Sequence, residues 1–98
     1  MIQHTVILAW NESVPAGHAE ECVEALIVMS RQIHTIREYR CGADLGLTAP
    51  ADARFIIVAT FEDVDGWRYY DGHPLHNEIR ANLFKPYVAT RVSAQFNF

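Results

Sequence analysis

From Ile2 to Trp10 the chain reads IQHTVILAW, a run rich in β-branched and aromatic residues that predicts a strand. Side chains alternate across a strand, so Ile2, His4, Val6, Leu8 and Trp10 share one face and Gln3, Thr5, Ile7 and Ala9 the other. After Asn11-Glu12-Ser13, a turn, the period changes. Ala19, Cys22, Val23, Leu26, Ile27 and Ile33 recur at helical spacing, with Glu20, Glu21, Glu24 and Arg31 mostly off that stripe. This predicts a long amphipathic helix from Pro15 to about His34, capped by Ser13 or Asn11. His18 and His34 are expected in solvent.

The period returns to two over Thr35 to Gly42 (TIREYRCG), a half-exposed strand expected at a sheet edge. Ala43 to Ala53 holds Gly46, Pro50 and two aspartates and reads as a loop. Arg54 to Phe61 (RFIIVATF) is apolar on both sides and predicts a third strand. Asp63 suits the cap of a short helix that ends near Gly72. Pro74 cannot continue that helix but fits the first position of a new one, so a corner is expected at His73. The second helix runs to about Lys85 with Leu75, Ile79, Leu83 and Phe84 on its buried side. Tyr87 to Phe98 closes the chain as a fourth strand, with Val88, Thr90, Val92, Ala94, Phe96 and Phe98 on one face.

The element order is β-α-β-β-α(α)-β, the ferredoxin-like α+β pattern, with one four-stranded antiparallel sheet and helices on one face only. A single domain over residues 1–98 accounts for the whole sequence. The first and third strands, however, are apolar on both faces, and a monomer tolerates only a few hundred Å2 of exposed apolar patch. At roughly 25 cal/mol per Å2, covering such a face contributes on the order of ten kcal/mol before association costs. A second copy packed sheet against sheet supplies the cover, which predicts a homodimer.

Composition narrows the partners. Net charge is −4, and the eight Lys and Arg are scattered, so neither nucleic acid nor an anionic membrane surface is an expected partner. No apolar run has the length of a membrane span, and Met1-Ile2-Gln3-His4 lacks a basic signal-peptide start; a cytoplasmic setting is expected. The two cysteines, Cys22 and Cys41, fall inside regular elements and read as small buried hydrophobes. No phosphate loop, dinucleotide fingerprint or nucleophile elbow is present.

Candidate chemistry gathers at the corner, Trp67-Arg68-Tyr69-Tyr70-Asp71-Gly72-His73-Pro74-Leu75-His76. His76 falls in the first turn of the second helix, on the stripe of Ile79 and Leu83, and so faces the sheet side bearing His4, Val6, Leu8 and Trp10. An imidazole with an ordinary pKa near 6.5 can take and return a proton at neutral pH. A nearby phenol can donate to a developing oxyanion. A structural role at the corner, with His73 as a capping residue, accounts for the same letters. The spacing His73-x-x-His76 could pair two metal ligands on one helical face. But His73 precedes the helix and no third ligand is near it, so no metal is expected.

The His4 of the opening strand (H-T-V-I-L-A-W), the run Gly42-Ala43-Asp44-Leu45-Gly46-Leu47, the aromatic helix and the H-P-x-H corner together resemble the stress-responsive α/β-barrel (Dabb) family over essentially the whole chain. The resemblance implies a ferredoxin-like fold whose sheets pair into a dimeric α+β barrel. One branch of that family, the plant olivetolic acid cyclase, closes a linear polyketide by aldol condensation without metal or organic cofactor. Its tyrosine–histidine pair lands on Tyr70 and His76, and a histidine before its first-strand hydrophobics matches His4. The implied site has Tyr70 and His76 as catalytic residues and His4 beside them; the strand face and the corner add Leu8, Trp10, Trp67 and His73 as expected contacts of a small hydrophobic carbonyl compound. Three readings stay open: a cofactor-free cyclase- or lyase-like enzyme, a binding protein without turnover, and a stress-associated structural protein.

Overall fold

The computed structural model describes residues 1–48 and 53–98; Pro50 and Asp52 of the expected loop lie outside the described residues. The elements are β1 (Ile2–Trp10), α1 (His18–Ser30), β2 (Ile36–Ala43), β3 (Arg54–Phe61), α2 (Val64–Asp71), α3 (Pro74–Ile79), a π-helical turn over Arg80–Phe84, and β4 (Val88–Asn97). The strands form one antiparallel sheet in the order β2-β3-β1-β4. This is the ferredoxin-like α+β arrangement, with β2 at an edge as its alternating pattern predicts.

One sheet face is covered by the helices. Ile2, Val6 and Leu8 of β1 and Phe55, Ile57, Ala59 and Phe61 of β3 meet Cys22, Leu26 and Met29 of α1 in the core. The other face is open in the single chain. Directly paired residues share a face, and the pairs Ile7↔Ile56, Ile7↔Val92, Thr5↔Val58 and Gln3↔Phe96 lie on that side. Val92 is 70% exposed and Phe96 55%, so the apolar alternation of β4 has no covering layer within its own chain.

Local signals set most boundaries. Asp63 caps α2, its side chain accepting from the Gly66 N–H at 2.8 Å. Gly66 is buried beside Thr35 and Phe61, where a Cβ would meet them at 3.5 and 3.8 Å, ordinary contact distances. His73 caps α3, its Nδ1 accepting from the Leu75 N–H at 3.1 Å, and Pro74 takes the first turn.

Three expectations are corrected. α1 begins at His18, not Pro15: its cap is Gly17, whose φ of +76° suits glycine, while Asn11 spends its side chain on the Ser13 N–H. His18 is 3% exposed instead of solvated, because it stands four residues before Cys22 and eight before Leu26, on the buried stripe of α1. Finally, a register shift between Ala9 and Trp10 places Val88 opposite Trp10, on the helix-covered face, so Val88 leaves the stripe of Val92 and Phe96. His34 is exposed, as expected.

Candidate functional site

The last helical segment does not keep one pitch. α3 stops at Ile79, and the following turn is π-helical, the Lys85 N–H reaching the Arg80 carbonyl five residues back at 2.8 Å. Phe84, in that turn, packs inward and is 7% exposed. Between it, α1 and the β1–β4 side of the sheet lies a cavity of about 580 Å3. That volume is in the usual range of small-molecule sites.

Four of the sequence-predicted residues reach this cavity: His76 from α3, Tyr70 from α2, and His4 and Leu8 from β1. Trp10, Trp67 and His73 do not line it. Trp10 is drawn toward the other end of the helix layer, its ring stacked on Phe84 (centroids 5.7 Å) and edge-on to His18 (5.1 Å). Trp67 packs behind His4 at 5.9 Å. His73 is committed to its cap and lies edge-on to Tyr69 at 5.5 Å.

The corner at Pro74 stacks the Tyr70 and His76 rings face to face, with centroids 4.2 Å apart and planes at 23°. His76 Nδ1 lies 3.2 Å from the Asp71 carbonyl. A carbonyl only accepts, so the neutral ring carries its proton on Nδ1 and keeps the lone pair on Nε2. Burial and then the Arg80 guanidinium push its pKa down to about 4, despite the Asp71 carbonyl and carboxylate pulling the other way. His76 is thus an unprotonated imidazole at neutral pH.

Tyr70 is 1% exposed. Its hydroxyl lies 3.2 Å from that of Tyr39 on β2. Burial pushes the Tyr70 pKa up to about 12, and burial with the neighbouring Tyr70 phenol drives that of Tyr39 well above its ordinary value. Both phenols are therefore proton donors, never phenolates, near neutral pH. Tyr39 is the residue the sequence reading missed; its i, i+2 place on a half-exposed strand gives no hint of a partner on α2. His4, 3% exposed, accepts from the Gln95 amide at 2.8 Å through Nδ1. Burial, then Arg91, lowers its pKa, with Asp71 opposing.

Among the described residues, no group of three or more His, Cys, Asp or Glu is placed to hold a metal ion. Cys22 and Cys41 are free thiols whose pKa values burial raises to about 12 and about 11, which removes thiolate nucleophilicity. No helix among the described residues is long and apolar enough to cross a membrane.

The sequence model of the Stress Responsive A/B Barrel Domain (Dabb) matches residues 2–98. The chain belongs to this family. A dimeric ferredoxin-like protein of unknown function from Thermobifida fusca shares 35% identity with this Dabb chain, at a TM-score of 0.88, over 99% of this chain and 90% of that one. A Dabb family protein from Mesorhizobium loti is 15% identical (TM-score 0.80; 99% and 95% covered). A hydroxynitrile lyase from Passiflora edulis is 16% identical (TM-score 0.80; 97% and 90% covered). At such low identity the last two attest the Dabb-like fold alone. Comparison with curated proteins gave no match.

Proposed function

We propose that this Dabb chain is a homodimer that binds a small hydrophobic carbonyl compound and moves a proton on it without a cofactor, in a cyclase- or lyase-like reaction of the aldol or enol type. The observation that carries the reading is the neutral imidazole of His76, stacked on Tyr70 at 4.2 Å in the wall of a cavity of about 580 Å3. His76 Nε2 removes a proton next to the carbonyl, the Nδ1–H staying on the Asp71 carbonyl and fixing the tautomer. Tyr70 donates to the oxygen that gains charge, and Tyr39, donating to the Tyr70 oxygen, leaves the Tyr70 proton free to do so. Returning the proton from His76 closes the cycle. The fold likeness to a hydroxynitrile lyase, at 16% identity, is compatible with such chemistry.

The test is turnover of β-keto, β-polyketo and cyanohydrin substrates by the native chain and by His76→Ala. Loss of turnover with retained binding supports the proposal; equal turnover in both ends it. The second reading, a Dabb protein that binds or assembles without turnover, draws on the Tyr70 hydroxyl, which is buried and already partnered by Tyr39. It predicts binding but no turnover in the native chain.

The dimer is proposed through the open sheet face, where Val92 and Phe96 are exposed, and the Thermobifida fusca relative is described as dimeric. Phe96→Asp places a charge on that face and is expected to shift the mass in sedimentation from two chains to one. An unchanged dimer would place the interface elsewhere.

A further inference from the structure

The cavity is apolar at depth and cationic at its mouth. Val6, Leu8, Leu26, Ile57 and Phe84 form much of its wall, whereas Arg80, Lys85 and Arg91 also line it and, among the described residues, no Asp or Glu does. In a chain with twelve acidic residues and eight basic ones, chance would favour acids on such a rim. Arg80 is neutralised: it meets the Asp71 carboxylate at 3.2 Å and also donates to the Asp71 carbonyl and to Asn77. Lys85 and Arg91 are exposed, and neither has a carboxylate partner among the described residues; Arg91 touches only the Ser93 hydroxyl, at 3.3 Å.

Two elements converge here. Arg91 lies opposite Leu8 on β4, on the covered side of the sheet, and Lys85 is delivered by the π-helical turn, whose Arg80 carbonyl accepts from its N–H. Such turns frequently occur at functional sites. The field of Arg91 reaches the buried end as well, where, after burial, it helps to lower the pKa of His4 and opposes the burial-driven rise at Tyr70.

The geometry points to a ligand that is an amphipathic acid: an apolar body seated against Val6, Leu8 and Phe84, and a carboxylate at the mouth held by Arg91 and Lys85. This rests on the cavity being a small-molecule site, and it narrows the proposed carbonyl compound to one that carries an anionic group remote from the reacting carbon. A carboxylate at the rim exchanges part of its hydration for two cations without being buried, so the gain is that of a partly exposed ion pair, not of a desolvated one.

Phenylbutyrate and its uncharged isostere phenylbutyramide separate the possibilities, with binding followed by calorimetry at low salt. The acid is expected to bind about tenfold more tightly than the amide, as two rim ion pairs would give. The double variant Arg91→Gln, Lys85→Gln is expected to bring the acid-to-amide ratio to about one. Raising salt to 1 M, where screening acts within about 3 Å, should also flatten the ratio. If both compounds bind the native chain equally, or the ratio survives in the double variant, the acid assignment is wrong while the cavity reading stands. If neither binds, while a neutral carbonyl substrate is still turned over or bound, the acid assignment again fails alone. If no compound of either kind binds, the cavity reading falls and takes the acid assignment with it.

Discussion

Two buried histidines, at opposite ends of the helix layer, are held in nearly the same way. His76 gives Nδ1 to the Asp71 carbonyl and stacks on Tyr70. His18 gives Nε2 to the Leu83 carbonyl at 2.6 Å and lies between Trp10 and Tyr87, at 5.1 and 4.6 Å. Both are under 10% exposed, 7% for His76 and 3% for His18. What separates them is the space alongside: His76 walls a cavity of about 580 Å3, while His18 borders a depression of about 220 Å3 and is mostly boxed in by rings. Burial and a backbone bond make an imidazole part of the frame. An adjoining hollow gives the imidazole of His76 the room that the proposed proton transfer requires.

The contrast breaks most sharply on turnover. His76→Ala is expected to lower kcat on a responsive substrate by about 10²- to 10⁴-fold, the usual worth of a positioned general base. His18→Ala, measured on the folded fraction, should leave kcat within about threefold, since its ring lies outside the cavity lining. Comparable losses in both variants would mean that the two histidines share one role.

The folded-state pKa of His76 lies at about 4, below the ordinary 6.5 of an unfolded chain, so the unfolded state binds the proton more readily. The stabilisation is fully present above pH 6.5 and is lost as pH falls through about 4. The sum is on the order of 3 kcal/mol for this shift. Urea unfolding at pH 7 and at pH 4 should show the loss in the native chain and a reduced loss in His76→Gln. A stability that is flat across that window in the native chain would place His76 in solvent. A base with this pKa also predicts turnover that holds level down to about pH 5.

The converse appears in stability at neutral pH. His18→Ala empties a packed site and leaves the Leu83 carbonyl without its donor, at about 2–4 kcal/mol. His76→Ala enlarges an existing hollow and should cost less, about 1–2 kcal/mol. Denaturant midpoints read both, and the reverse order would undo the distinction between frame and site. The smallest effect is that of Tyr39→Phe, which removes one hydroxyl beside Tyr70: about 1 kcal/mol in stability, with a several-fold fall in kcat if Tyr39 orients the Tyr70 proton.

The corner was legible because its signals are local. Asp63, His73 and Pro74 each act within three residues, and the stripe through His76 and Ile79 fixes which way the helix faces. The open side of the sheet was legible for a similar reason, since alternation needs no knowledge of the partner strand. What escaped was long-range or depended on a shift of one residue. Gly17 moved the start of α1; the bulge before Trp10 moved Val88; the contact of Tyr39 with Tyr70 joins residues 31 apart in the chain. Trp10, on the same strand face as Leu8, was expected at the cavity, but Phe84 covers it instead.

The π-helical turn at Arg80–Phe84 amounts to one residue beyond the ordinary helical count. Each α-helical residue advances about 100° around the axis. Winding Arg80–Phe84 at normal pitch with every residue kept would therefore rotate the residues after it by roughly that angle. Phe84 would swing off the floor and Lys85 away from the opening. The capacity of this chamber is thus encoded less by any side chain than by a single extra link in its ceiling.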